Sequence, residues 1–335
     1  MKKLRLSFYN LQASQYFYSF MALLVVVVIS SFMSGSFFTG NNIMTIIRQA
    51  SVLLILSSGL TAVVLTGGID LSVNNTAALV GCIVAQLLVN GFNIALVIVI
   101  GLIIGVLVGF FNGALVGILK LPPFVATYGT NMVVLGLATI VMQGAVVYNL
   151  PKNFTPIGIG YVGGIPIPII IAFFVILVLF ILLQHTTFGR EIYMLGSNAN
   201  AARYSGARSV LIYLQAYGLS GLTAALGGIV MTARLNAADA NMGNSYGLQI
   251  VAAVVMGGTS LLGGAGGIFG TMIGAIVLTI IVNVMNLVGV NSYLQSLAIG
   301  VVIICMVWLD IFSRKKSDRL SKTLQTDTKS LERIN

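Results

Sequence analysis

Charge is the scarcest thing in this chain. Only 7% of its 335 residues are charged, while 58% are hydrophobic; a soluble domain carries about 25% charged residues. A water-soluble fold of this length has too few charges here to cover its surface. The sequence has no G-x-x-x-x-G-K-S/T phosphate loop, so it does not bind and hydrolyse ATP by that route. It also lacks H-E-x-x-H and any carboxylate pair, which leaves an integral-membrane enzyme without a catalytic constellation. The lone His185 has no companion and is given no metal or catalytic role. Cys82 and Cys305 show no metal-ligand spacing and read as packing residues in hydrophobic spans. Acids are equally sparse within the apolar stretches. Asp70, Asp239 and Asp310 are the only candidates, and each is expected near a span end. Ion-coupled carriers need ionisable groups inside the bilayer, so the driving energy is expected to come from elsewhere.

What remains is long uncharged sequence. Runs without a charge fill residues 6–47, 49–69, 71–119, 121–151, 153–189, 209–233 and 240–309. Crossing ~30 Å of hydrocarbon takes roughly 20 apolar residues in a helix. On that measure the seven runs hold one, one, two, one, one, one and three helices. Asn90–Gly91 divides the third run, and Gly263–Gly264 and Gly289–Val290–Asn291 divide the last. A β-barrel would show alternating polarity in segments of about 10 residues, whereas Ile169 to Leu183 is apolar on every face. The fold class expected is therefore all-α, a polytopic membrane protein of about ten transmembrane helices.

The net charge of +10 reads as topology rather than nucleic-acid binding. Lys and Arg collect in cytoplasmic loops near helix ends. With ten spans and both termini cytoplasmic, 14 of the 17 basic residues share one face, leaving Arg48, Lys152 and Arg234 near the other. The expected layout is a cytoplasmic N-terminus over 1–16, a transmembrane domain over 17–312 and a basic cytoplasmic tail over 313–335. Glycines at 101, 105, 109, 113 and 117 form a ladder that lets helix backbones approach closely.

Two segments stand out. In the cytoplasmic loop 187–208, Asn198 can cap a short helix from Ala199 to Tyr204 that Gly206 ends; a surface helix exposing Arg203 suits docking into a partner. Around Thr66–Val73, Gly67–Gly68 ends one helix, and Asp70 or Ser72 can cap the next. Capping is the plain role for Asp70, with gating at the cytoplasmic mouth the alternative. Polar or aromatic candidates for a translocation path are Phe124, Thr127, Asn131 and Gln143 in the fifth span, with Asn283, Asn286 and Gln295 later. Transmembrane Asn and Thr residues also bond neighbouring helices, at ~1 kcal/mol or less.

The stretches Thr66–Val73, Gly189–Gly206 and Val254–Gly266, with Phe37–Asn42, Pro123–Thr127 and Thr232–Leu235, resemble the monosaccharide-importer permeases of the ABC transporters (the ribose, xylose, arabinose and allose branch). The resemblance spans residues 17–312. It implies a pore formed by a pair of permease copies, coupled to cytoplasmic ABC ATPases that carry ATP and Mg, and fed by a periplasmic or lipoprotein sugar-binding protein. The chain itself would bind no cofactor, metal or nucleic acid and would sit in the inner membrane among lipid. Gly189, Arg190, Gly196, Asn198, Ala202, Arg203, Ser205 and Gly206 would then form the coupling segment. Gly67, Gly68, Asp70, Ser72, Gly257 and Gly258 would form a helix break or gate. The alternative is an autonomous facilitator or channel, which has no use for a docking loop. The sequence departs from the family pattern twice. Asn74–Asn75 follows Leu71–Ser72–Val73 where Gly is usual, and Tyr246–Gly247–Leu248–Gln249 replaces a Tyr-Glu-Leu-Asp pattern. Both departures bear on which sugar is carried.

Overall fold

The structure is a computed structural model that describes residues 17–291, 293–302 and 304–305. The expected N-terminal segment 1–16 and the tail 313–335 lie outside the described residues. From Phe17 to Val290 the chain forms one compact unit. Its helices are α1 (Phe17–Met33), α2 (Gly40–Leu65), α3 (Val73–Val89), α4 (Ile94–Gly117), α5 (Pro123–Met142), the single turn α6 (Pro156–Ile159), α7 (Ile167–His185), α8 (Thr187–Ser197), α9 (Ala199–Tyr204), α10 (Ser209–Leu235), α11 (Gly247–Met256) and α12 (Ile268–Leu287). A second unit begins at Asn291 and contains a further apolar helix, Tyr293–Val302.

Six of these helices (α2, α4, α5, α7, α10 and α12) are long and apolar enough to cross a membrane, and four shorter apolar helices accompany them. The breakers act where the sequence places them. Asn90–Gly91 separates α3 from α4, with Gly91 at φ +82° and the Asn93 side chain accepting from the Ala95 and Leu96 N–H groups to start α4. Charge-run boundaries mark helix ends less well. Arg48, which separates the first two uncharged runs, lies inside α2, and its guanidinium meets the ring and hydroxyl of Tyr161. A long side chain can reach a polar tip from within a helix. The fifth helix also stops before Gln143, which takes a left-handed conformation as its C-cap at φ 52°.

The core is built around α10, which packs on α4, α2 and α3. The glycine ladder of α4 is its counterpart. A Cβ on Gly105 would meet the Gly221 carbonyl oxygen at 2.4 Å, and one on Gly109 the Tyr217 carbonyl oxygen at 2.2 Å. These helices touch backbone to backbone, where dispersion contacts replace the hydrophobic force that lipid does not supply. Cys82 is buried in the apolar core between α3, α5 and α10, whereas Cys305 is exposed within this chain. A second apolar cluster joins Phe37 and α1 to α12. At the end of the bundle where α5 stops and α7 starts, two small antiparallel pairings close the surface. These are Val147–Tyr148 with Ala237–Ala238, and the hairpin Tyr161–Val162 with Ile165–Pro166. The hairpin turns on Gly163 and Gly164, both at positive φ, as a two-residue primed turn requires.

Candidate functional site: a backbone junction beside a buried polar knot

Two helices end in the same way. At the end of α2, Gly67 (φ +80°) lets its N–H reach the Val64 carbonyl at 2.9 Å and the Gly68 N–H reach Val63 at 3.3 Å. At the end of α11, Gly258 (φ +81°) bonds to Val255 at 2.8 Å and Thr259 to Val254 at 3.2 Å. Both are Schellman caps, which satisfy orphan carbonyls and need a left-handed residue. The two breaks also touch. The Gly264 N–H donates to the Leu65 carbonyl at 2.9 Å, and a Cβ on Gly263 would lie 2.6 Å from the Gly67 nitrogen.

The 187–208 loop joins them at the same point. Its first half is α8, started by the Thr186 side chain accepting from the Gly189 N–H. The last turn of α8 seats in the junction. A Cβ on Gly196 would meet the Leu65 carbonyl oxygen at 2.0 Å and the Gly264 nitrogen at 2.5 Å, and the Tyr193 hydroxyl donates to the Gly266 carbonyl at 2.9 Å. Gly189 is equally tight, against the Leu183 carbonyl oxygen at 2.0 Å. The second half is α9, where Asn198 accepts from the Asn200 and Ala201 N–H groups at 3.0 Å and Gly206 (φ +86°) lies past the last turn. Ala202 is buried, while Arg190, Arg203, Ser205 and Gly206 are exposed. The sequence treats the loop and the helix breaks as separate features. The structure makes them one contact, carried by main chain, and nothing in the residue types announces that pairing.

Asp70 lies between α2 and α3, near a helix end as expected, but its carboxylate does more than cap. The N-cap of α3, Ser72, makes no side-chain capping bond, and it is Asp70 that accepts the Ser72 N–H at the start of the helix. Asp70 is 3% exposed, and its carboxylate also closes a knot between three helices. Its Oδ1 accepts from the Ser72 N–H (2.9 Å), the Ser72 hydroxyl (2.7 Å) and Asn112 Nδ2 (3.3 Å), and its Oδ2 accepts from the Ser220 hydroxyl (2.8 Å). Ser220 lies near the middle of α10, so the carboxylate is inside the bundle. A buried carboxylate persists only where donors surround it, and these four do so. The neighbouring backbone is held as well. The Ile69 carbonyl accepts from the Tyr217 hydroxyl at 3.1 Å, and the Leu71 N–H donates to Thr127 Oγ1 at 3.1 Å.

The remaining candidates fall in separate places. Thr127 is fully buried, holding Leu71 as described and donating to the Pro123 carbonyl at 2.8 Å. Asn131 is buried beside Asn75, whose Nδ2 donates to the Asn131 carbonyl at 3.2 Å. Asn283 forms a reciprocal amide pair with Asn42, at 2.8 and 3.1 Å, locking α12 to α2. Phe124 is 60% exposed and stacks on Tyr128, and Asn286 is exposed near the end of α12. The Gly257 backbone lies against Gly270, where a Cβ would come within 2.3 Å of its carbonyl carbon. The two departures from the family pattern are neighbours: a Cβ on Gly247 would lie 3.5 Å from Asn74 Nδ2.

Residues 42–307 match the family described as "Branched-chain amino acid transport system / permease component". The chain belongs to this permease family. Among curated relatives, the permease is 41% identical over 300 residues to the ribose import permease protein RbsC of Bacillus subtilis (strain 168), covering 89% of this chain and 92% of that one. It is 36% identical over 292 residues to the D-allose transport system permease protein AlsC of Escherichia coli (strain K12), covering 87% and 90%. It is 33% identical over 318 residues to the galactose/methyl galactoside import permease protein MglC of Salmonella typhimurium, covering 89% and 95%. No solved structure matches significantly. The permease is a multi-pass protein of the inner membrane.

Proposed function

We propose that this chain is the membrane-spanning subunit of an ABC importer for a monosaccharide, with ATP hydrolysed on a separate subunit and sugar delivered by an extracytoplasmic binding protein. The relatives whose printed names give ribose, allose and galactose support the substrate class. The observation that carries the reading is the seat of α8. An ATP-driven importer needs a rigid element that passes motion from a partner to the membrane helices. Here the exposed loop 187–208 bears directly on the ends of α2 and α11 through Gly196 and Tyr193. A facilitator has no need of such a part.

In this reading the face bearing α8 and α9 is cytoplasmic, both termini lie on that face, and the ten apolar helices provide ten crossings. Six helices of spanning length and four shorter ones are consistent with that count. Arg190, Arg203, Ser205 and Gly206 meet the ATPase, while Gly189, Asn198 and Ala202 shape the loop. Gly67, Gly68, Gly257 and Gly258, with Asp70 and Ser72, form the break that opens and closes. Two copies related by a closed two-fold would face each other across the path. Phe124 and Asn286 are the candidates with surface to offer it, and Thr127, Asn131 and Asn283 would shape it from behind.

The test is reconstitution. Proteoliposomes holding the permease, its ATPase and its binding protein should accumulate monosaccharide with ATP, and the permease alone should pass none. Solute entry through the permease alone would replace this proposal with the facilitator.

A further inference from the structure

A cleft of about 660 Å³ lies between the end of α4, the start of α10 and the α8–α9 loop, which contributes Leu195, Ala199, Arg203 and Gly206 to its lining. Its walls are of two kinds. Val116, Pro122, Val210 and Tyr213 supply apolar and aromatic surface, while Lys120, Arg203 and Arg208 supply three positive charges, and none of the lining residues is acidic. The backbone fixes the first of these. Lys120 takes a left-handed conformation (φ 55°), and the Leu121 N–H turns back to the Leu115 carbonyl at 3.1 Å. The Lys therefore stands at the rim, with Leu121–Pro122–Pro123 as a wall. At the other side α10 begins at Ser209 with no side-chain cap, and the buried Ser209 hydroxyl has no partner. The positive end of a long helix thus adds to the cations there.

We propose that this cleft holds the headgroup of an anionic phospholipid. Two of its walls, carrying Lys120 and Arg208, are ends of helices long and apolar enough to cross a membrane, which puts those cations at headgroup depth, and the third wall is the α8–α9 loop with Arg203. Basic pockets between membrane helices are suited to anionic headgroups. Above the cleft the outward surfaces of both helices are apolar and exposed, with Leu107, Phe110 and Phe111 on α4 and Val210 and Leu211 on α10, so acyl chains have a surface to follow. A carboxylate from a partner protein would complement the charge but would leave those apolar surfaces unexplained.

The experiment is native mass spectrometry of the assembled importer, released from nanodiscs of equal phosphatidylglycerol and phosphatidylcholine. The expected result is retention of phosphatidylglycerol in preference to phosphatidylcholine. In the Lys120→Gln/Arg208→Gln double variant that preference should fall about thirtyfold, since each basic residue near the surface contributes roughly a fivefold factor. Lys152→Gln, at the other end of the bundle, should leave it unchanged, and Lys120→Arg should keep it, which controls for misfolding. Excess inorganic phosphate should leave the lipid in place. Equal retention of both lipids, an unchanged preference in the double variant, or displacement by phosphate would each overturn the proposal. Loss of the ATPase from the double variant with lipid preference intact would also overturn it and assign the cleft to the partner protein. Because lipid retention is read directly, a failure of sugar uptake would count against the proposed function and not against this site.

Discussion

Asp70 and Ser220 are 150 residues apart in the chain and 2.8 Å apart in space. That bond ties the break after α2 to the middle of α10, the helix around which the bundle is packed. The break is therefore anchored on one side by a carboxylate and on the other by the backbone junction with α8.

Removing the carboxylate should cost more than removing any one donor. Asp70→Ala leaves the Ser72 N–H and hydroxyl and the Ser220 hydroxyl without their acceptor, with Asn112 keeping only Ser72 Oγ at 2.8 Å, whereas Ser220→Ala removes one bond of four. A buried group left unsatisfied costs about 1–3 kcal/mol, so Ser220→Ala should lower stability by about that amount and Asp70→Ala by clearly more. Thermal unfolding in detergent measures both; equal losses would show that the knot does not act as a unit.

Gly196 should tolerate no side chain. Gly196→Ala would push α8 away from Leu65 and Gly264, with contacts at 2.0 and 2.5 Å that main chain has no way to relieve. ATP-driven uptake in proteoliposomes should drop at least about tenfold, the equivalent of 1.4 kcal/mol of coupling, while ATP hydrolysis by the assembled importer continues. Full uptake at normal expression would refute this. Arg203→Ala, on the exposed side of the same loop, should weaken association with the ATPase and leave unfolding of the permease alone unchanged.

The pair Asn42–Asn283 should behave as a helix lock. Asn42→Ala strands the Asn283 amide, Asn283→Ala strands the Asn42 Oδ1 while its Nδ2 keeps the Phe37 carbonyl, and the double substitution strands neither amide. The double variant should be less destabilised than the sum of the singles, with an interaction term of about 0.5–1.7 kcal/mol. Additive losses would mean that the two amides act independently. Fluorescence-detected thermal stability of the four variants decides it.

Asn74 and Gly247 exchange bulk relative to the family pattern, a larger residue on α3 facing a smaller one on α11. Gly247→Glu should crowd Asn74 and lower stability, and Asn74→Gly in the same chain should recover most of the loss. If the pair also bears on substrate choice, the rescued double variant should show a changed order of preference among pentoses and hexoses in uptake assays. An unchanged order would confine the pair to packing.

Much of this architecture is legible from the residues. Gly91 and Gly67 break helices where they stand in the sequence, and the small face of α4 announces a close neighbour because little else explains glycine at every fourth position. Asn198 capping α9 is local chemistry and therefore readable. Asp70 does lie between two helix ends, as a charge beside an apolar run suggests, but hydropathy gives no sign that its carboxylate is buried. Its partners Asn112 and Ser220 lie on other helices, and only the fold brings them in. The partner of Arg48 is equally hidden, since Tyr161 belongs to a distant hairpin. The junction at Gly196 was illegible because its contacts are made by main-chain atoms common to every residue.

That last feature has a consequence for how such a protein changes over generations. The seat of α8 is formed largely from peptide groups, so few side chains can drift and spoil it. Selection has a grip there at a handful of glycines and at Tyr193. The outer face of the loop is then free to be rewritten residue by residue, following a partner that is itself changing, while the lever arm beneath keeps its dimensions.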